Sequence, residues 1–129
     1  LGHLVERKGL SKNISFLGFK DDIMKILSNS SFFIHLPTSP DPLPTVIFEA
    51  IKTKTPVITN NFGGAYEILQ NGNNGLIIKN NLINDSADKI LNYIKNKKSQ
   101  KENIDNAYNY IRKNYSFEEF RKKILNTVE

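Results

Sequence analysis

Four short apolar runs, separated by stretches of helical spacing, constrain this chain most. They are ISFLG (14–18), SFFIHLP (31–37), TPVIT (55–59) and LIIK (76–79). Each reads as a strand of a few residues and closes on glycine, proline or a polar residue. None alternates apolar with polar, so each strand expects to be covered on both faces. That is the signature of a parallel sheet between layers of helices. Helical segments fill the spaces: the end of a helix at 1–9 stopped by Gly9, then 21–30, 44–53 and 65–70. After Asn80 the chain reads as three helices, at about 82–97, 99–113 and 117–127. Ser116 and Glu119 mark a capping box at the start of the last one. The expectation is an α/β part over 1–80 and terminal helices over 81–129.

In a parallel α/β sheet a ligand sits beyond the carboxyl ends of the strands. Here those ends are Gly18-Phe19-Lys20, the run from Pro37 to Pro44, and Asn60 to Gly64. The second is the most informative. In SPDPLPTVIFEAIK, Pro44 suits the first helical position, since its fixed φ is helical and its missing N–H would have had no partner. The amides of Thr45 and Val46 then lack intrahelical acceptors and, with the helix dipole, form an anion site suited to phosphate. Glu49 lies about one turn further along, at the edge of an apolar stripe of Val46, Ile47, Ala50 and Ile51. A carboxylate there calls for hydrogen-bond donors such as a ribose diol. Asp41, on the loop, could meet a second set of hydroxyls. The plainer alternative stays open: Pro44 a helix start, Asp41 a turn residue, Glu49 partly exposed.

Composition narrows the setting. With no cysteine there is neither a disulfide framework nor a thiolate metal site, and two histidines make a zinc site improbable. No apolar run is long enough to cross a bilayer, and the opening residues lack a secretory pattern. A cytoplasmic setting is expected. The net charge is +5, with 11 Lys/Arg against 7 Asp/Glu over residues 79–129. A basic surface suits nucleic acid, anionic lipid or a phosphorylated substrate. No aromatic-interleaved basic cluster supports nucleic acid. The chain opens on Leu1 inside a helical pattern, which suggests a piece of a longer protein.

Taken together, the motifs resemble those of a family 4 retaining glycosyltransferase, in its C-terminal nucleotide-sugar-binding domain of the GT-B fold. The resemblance rests on Asn13-Ile14-Ser15-Phe16-Leu17-Gly18-Phe19, on Asp41-Pro42-Leu43-Pro44-Thr45-Val46-Ile47-Phe48-Glu49-Ala50 with seven residues between the acids, on Thr55-Pro56-Val57-Ile58, on Gly63-Gly64 with Glu67, and on Asn71-Gly72-Asn73-Asn74-Gly75. It spans about residues 1 to 95, and the elements stand in the family's order. It implies a Rossmann-like parallel sheet, incomplete, with a helical C-terminal segment. In the family's strand order, 3-2-1-4-5-6, this chain would supply strands 3 to 6 only. A gap, or a rearranged or partner-completed sheet, is therefore expected.

The resemblance also implies roles. Glu49 would bind the ribose hydroxyls of a UDP- or GDP-sugar. Asp41 would bind the donor sugar and steady the reacting centre. Pro44, Thr45 and Val46 would form the diphosphate-binding helix start, Gly18, Phe19 and Lys20 would lie against the base, and Gly63 and Gly64 would let backbone approach the donor. No metal or other cofactor is implied. The acceptor would be a glycan or lipid-linked molecule of surface polysaccharide assembly, such as lipopolysaccharide, with peripheral inner-membrane association. The phosphate-binding Arg and Lys and the N-terminal acceptor domain would lie outside this chain, so it is expected to lack turnover alone. The sequence departs from the family pattern in three places. Asp41 is one methylene shorter than the commoner Glu, Pro44 replaces a glycine and removes its amide, and Lys54 replaces a glycine that a left-handed backbone would favour. Other readings are a non-catalytic nucleotide-sugar-binding module, a GT-B-like 2-epimerase fragment and a flavodoxin-like domain. The Asp41–Glu49 spacing followed by Pro56-Val57 favours a transferase over an epimerase, and Asp21-Asp22, the acid pair a flavodoxin-like site would use, reads better as a helix start. His35 reads as a satisfied core histidine, His3 as a surface residue, and Tyr108, Tyr110, Tyr115, Phe117 and Phe120 as packing residues.

Overall fold

The computed structural model describes residues 1–79 and 83–128. Three strands, β1 (Phe33–His35), β2 (Val57–Asn60) and β3 (Leu76–Ile78), form a parallel sheet in the order β1-β2-β3. Phe33, Ile34 and His35 face Val57, Ile58 and Thr59, and Ile58, Thr59 and Asn60 face Leu76, Ile77 and Ile78. The described helices are α1 (Gly2–Arg7), α2 (Ile23–Ser28), α3 (Thr45–Lys52), α4 (Gly64–Ile68), α5 (Ile83–Lys95), α6 (Lys97–Asn114) and α7 (Phe117–Val128), with a 3-10 turn at Gln70–Gly72. The start expected at residue 82, and the boundary between 80 and 81, lie outside the described residues.

Because side chains alternate across a strand, neighbours in one apolar run feed opposite layers. Phe33, Val57 and Ile77 pack with Ile47, Ala50 and Ile51 of α3, Ala65 and Ile68 of α4, and Ala107 of α6. Phe32, Ile58, Leu76 and Ile78 pack on the other face with Ile90 and Tyr93 of α5. This is the three-layer Rossmann-like arrangement expected. The layers are tied by polar contacts where helices end. Gln100 Nε2 donates to the Tyr93 and Ile94 carbonyls at 2.7 and 2.9 Å, closing the α5–α6 corner. Asn103 Nδ2 donates to the Gly72 and Asn73 carbonyls, fastening α6 to the 3-10 turn.

Several expectations are corrected. Residues 14–18 form no strand, and Phe16 and Leu17 stay more than half exposed. A strand needs a neighbour for its N–H and C=O groups. Among the described residues this segment has no such neighbour, the sheet being β1-β2-β3. The remaining strands are shorter than the apolar runs, and the helix expected at 21–30 spans only Ile23–Ser28. Asp22 is its N-cap, accepting the Lys25 amide at 3.0 Å. Pro44 is the N-cap of α3, not its first helical residue, because its ψ of 93° is extended. Of the tail aromatics, Tyr108 packs on the core, whereas Phe117 is 79% exposed. The Phe120 side chain is not among the described ones. Ser116 caps α7 as expected, its hydroxyl accepting the Glu119 amide.

The C-terminus of α3 uses a left-handed stop. The Lys54 amide donates to the Ile51 carbonyl at 3.0 Å and the Thr55 amide to the Ala50 carbonyl at 2.9 Å, the two bonds of a Schellman motif. Lys54 therefore holds φ of 58°, as its place in a glycine position implied. Lys54→Gly should raise stability by about 1 kcal/mol, less the small cation–π contact with Tyr108, read as a higher urea midpoint. Tyr93 offers a second check. Its buried hydroxyl has no partner among the described residues, and burial pushes its pKa up to about 12 from 10.0. Burial penalises the phenolate in the folded state, so stability is unaffected below pH 10, where both states are protonated, and falls as pH climbs toward 12. Tyr93→Phe should match or exceed the parent at pH 7. It should also lack an alkaline loss of about 2 kcal/mol in denaturation across that window.

Candidate functional site

Two loops meet beyond the carboxyl ends of β1 and β2. The first, 36–44, leaves β1 through Pro37 and carries Asp41. The second, 61–63, leaves β2 and enters α4. Their contact is backbone on backbone. The Gly64 amide donates to the Asp41 carbonyl at 2.8 Å. A Cβ on Gly63 would lie 2.3 Å from the Asp41 carbonyl oxygen, and one on Gly64 would lie 2.0 Å from that of Pro42. Gly63 also sits at φ 60°, where L side chains are strained. The two glycines are thus explained first by the packing of one loop on the other.

Within the first loop, Asp41 Oδ1 accepts the Leu43 amide at 3.0 Å. This Asx turn fixes the carboxylate's direction, with Pro42 inside the turn and Pro44 buried behind it. Asp41 itself is exposed. Helix α3 follows at once. The Ile47 amide reaches the Pro44 carbonyl at 3.1 Å, while the amides of Thr45 and Val46 find no acceptor among the described residues. Pro44 offers no side-chain cap. The positive end of α3 is therefore open beside the Asp41 turn, and an anion can be met there by two N–H groups. Glu49, one turn further, is half-exposed, and its carboxylate makes no hydrogen bond or ion pair among the described residues. Ile47, Ala50 and Ile51 seat this helix on the sheet, so Glu49 stands on a fixed scaffold.

The structure brings together Asp41, Pro44, Thr45, Val46, Gly63 and Gly64, with Glu49 on the same helix. It does not tie Gly18, Phe19 and Lys20 to them. No hydrogen bond among the described residues links that segment to either loop, and Phe19 is 90% exposed. His35 departs from expectation: it is only partly buried and its Nε2 has no partner among the described residues. Glu67 lies exposed in the first turn of α4, where it complements the helix dipole. Sequence reading placed Asn60 at a strand end but assigned it no role; it is a buried polar residue at the end of β2 whose Nδ2 donates to the Pro37 carbonyl at 2.8 Å. Its signal was an Asn closing an apolar strand. Two sizeable clefts lie elsewhere. One of about 530 Å³ runs between α3, α6 and the start of α7, lined by Phe48, Lys52, Tyr108, Arg112 and Tyr115. Another of about 700 Å³ is lined by Tyr66, Glu67, Gln70, Asn73 and Tyr110. Neither includes Asp41 or Glu49. Among the described residues, no cluster of three or more His, Asp or Glu could hold a metal ion, and no helix is long and apolar enough to cross a membrane.

The loop contact predicts a sharp contrast between glycines. Gly64→Ala should cost about 2–3 kcal/mol in urea unfolding, because the colliding atom is backbone and cannot swing away. Gly72→Ala, at φ 104° but facing open space, should cost only about 1 kcal/mol.

Comparison with known proteins supplies an independent reading of this geometry. The family model described as glycosyl transferases group 1 matches residues 1–110. An Escherichia coli protein, UDP-Gal:alpha-D-GlcNAc-diphosphoundecaprenol alpha-1,3-galactosyltransferase, is 30% identical over 112 residues, covering 81% of this chain and 28% of that protein. The poly(ribitol-phosphate) alpha-N-acetylglucosaminyltransferase of Staphylococcus aureus (strain COL) is 30% identical over 128 residues, covering 98% of this chain and 26% of its own length. Among solved structures, Anabaena HepE in complex with UDP-glucose superposes with a TM-score of 0.85 at 26% identity, covering 98% of this chain and 35% of that one. The chain thus spans between a quarter and about a third of the length of these proteins.

Proposed function

The chain belongs to the glycosyl transferases group 1 family, and from that premise we propose that it is the donor-binding part of a retaining glycosyltransferase that takes its sugar from a nucleotide-sugar. The observation that carries this reading is the open start of α3 beside a fixed carboxylate. The unpaired Thr45 and Val46 amides face one way out of the helix, and the Asp41 carboxylate is held in its Asx turn alongside.

In this reading the diphosphate of the donor lies on the α3 start. As the sugar–phosphate bond breaks, charge grows on the departing diphosphate, and preset N–H groups stabilise it without reorganising. Glu49 takes the ribose diol, which supplies the donors that its carboxylate otherwise lacks. Asp41 takes hydroxyls of the sugar and steadies the reacting centre, with the shorter Asp reach offset by the turn that aims it. Gly18, Phe19 and Lys20 close over the base once a nucleotide is present. The UDP-glucose held by HepE supports a uridine donor. The names of the Escherichia coli and Staphylococcus aureus relatives support a lipid-linked or polymeric acceptor of surface polysaccharide. The acceptor is then bound by a further domain, at the cytoplasmic side of the inner membrane, and the basic terminal helices agree with an anionic surface.

Ligand-observed NMR of the chain with UDP, GDP, UDP-glucose, UDP-N-acetylglucosamine and GDP-mannose tests the proposal. One nucleotide should bind, and Glu49→Ala should weaken it by at least about tenfold through loss of the diol contact. A folded chain that binds none of them refutes the donor-site reading.

A further inference from the structure

Asn60 is an unusual choice for the end of a buried strand. It is 1% exposed, and a carboxamide has both donors and acceptors to satisfy. Its Nδ2 donates to the Pro37 carbonyl at 2.8 Å, while its Oδ1 meets no donor among the described residues. The orientation of the amide follows from that contact, because only the NH2 can pair with a carbonyl. One residue earlier, Thr59 Oγ1 donates to the His35 carbonyl at 2.8 Å. The β1–β2 register ends at His35 and Thr59, and Pro37 has no N–H to extend it. The side chains of Thr59 and Asn60 thus continue the grip of β2 on the chain leaving β1. The same loop is held at its far side by the Gly64 amide on the Asp41 carbonyl. Pro37 and Asp41 are both fastened by the segment 60–64, and the Asx turn carries that placement to the carboxylate.

We infer that Asn60 is a positioning residue for Asp41, acting through the Pro37 carbonyl and without touching the donor. Asn60 carries a cost of its own: an apolar side chain would not bring a buried unpaired Oδ1, although it would leave the Pro37 carbonyl without this donor. What such a side chain lacks is the reach to Pro37. The inference rests on the reading of Asp41 as the group that meets the donor sugar.

The test uses Asn60→Leu and Asn60→Ser in the same chain, with two readouts. Amide hydrogen exchange at Gly64 reports the loop clasp, and parallel NMR titrations with UDP and UDP-glucose report the sugar contact. Both variants should speed Gly64 exchange by at least about tenfold while Ile58 and Ile78 keep their protection. The affinity for UDP-glucose relative to UDP should fall by at least about fivefold, with UDP itself changed by less than about twofold. If Asn60→Leu also exposes Ile58 and Ile78 it has failed to fold, and Asn60→Ser decides. Unchanged Gly64 exchange, or equal losses for UDP and UDP-glucose, overturns the inference. A parent chain that binds neither nucleotide overturns the donor-site reading instead, and Gly64 exchange still decides whether Asn60 holds the loop.

Discussion

The burial of β2 on both faces is the constraint on which the rest of the molecule depends. All four of its residues are buried, and it is the only strand of the described sheet with a partner on each side. A strand so placed satisfies its backbone groups in two ladders and sends alternate side chains into two different cores. Ile58 goes to the α5 layer and Val57 to the α3 layer. Helices must then cover both faces, and each helix is aligned by the apolar stripe it lends to that coverage. α3 is the clearest case, with Ile47, Ala50 and Ile51 fitted to the sheet and its start left pointing at the loops.

From that arrangement the chemistry follows at one edge only. Parallel strands all end on the same side, so the loops after β1 and β2 are neighbours by construction. What makes them a unit is the pair of glycines that let the second loop lie against the backbone of Asp41 and Pro42. The proline-rich sequence of the first loop limits its freedom before any contact forms, and the Asx turn spends one carboxylate oxygen on the Leu43 amide. The result is a fixed acid beside unpaired helix amides, an arrangement suited to a ligand with both hydroxyls and phosphates.

Much of this was legible in the residues. The apolar runs 31–37, 55–59 and 76–79 contain β1, β2 and β3, because strands buried on both faces write themselves as continuous hydrophobic stretches. The helix after Pro44 was legible from its 3.6-residue stripe, and the strain at Lys54 from the family resemblance, which puts a glycine at that position. The run 14–18 looked the same as the others locally and forms no strand, since pairing depends on a neighbour that local composition does not encode. The ends of elements also shifted: whether Pro44 is a cap or a first helical residue turns on one ψ angle.

The sequence by itself determined the alternation of elements, the parallel class of the sheet, the acids at 41 and 49 and the glycines at 63 and 64, because these rest on periodicity, backbone preference and residue type. The tertiary structure alone decided that Gly63 and Gly64 serve the contact with Asp41, that Asn60 reaches Pro37, and that residues 14–18 form no strand. Each of those depends on which distant segments come within a few ångströms of one another, and short-range pattern carries no information about that distance.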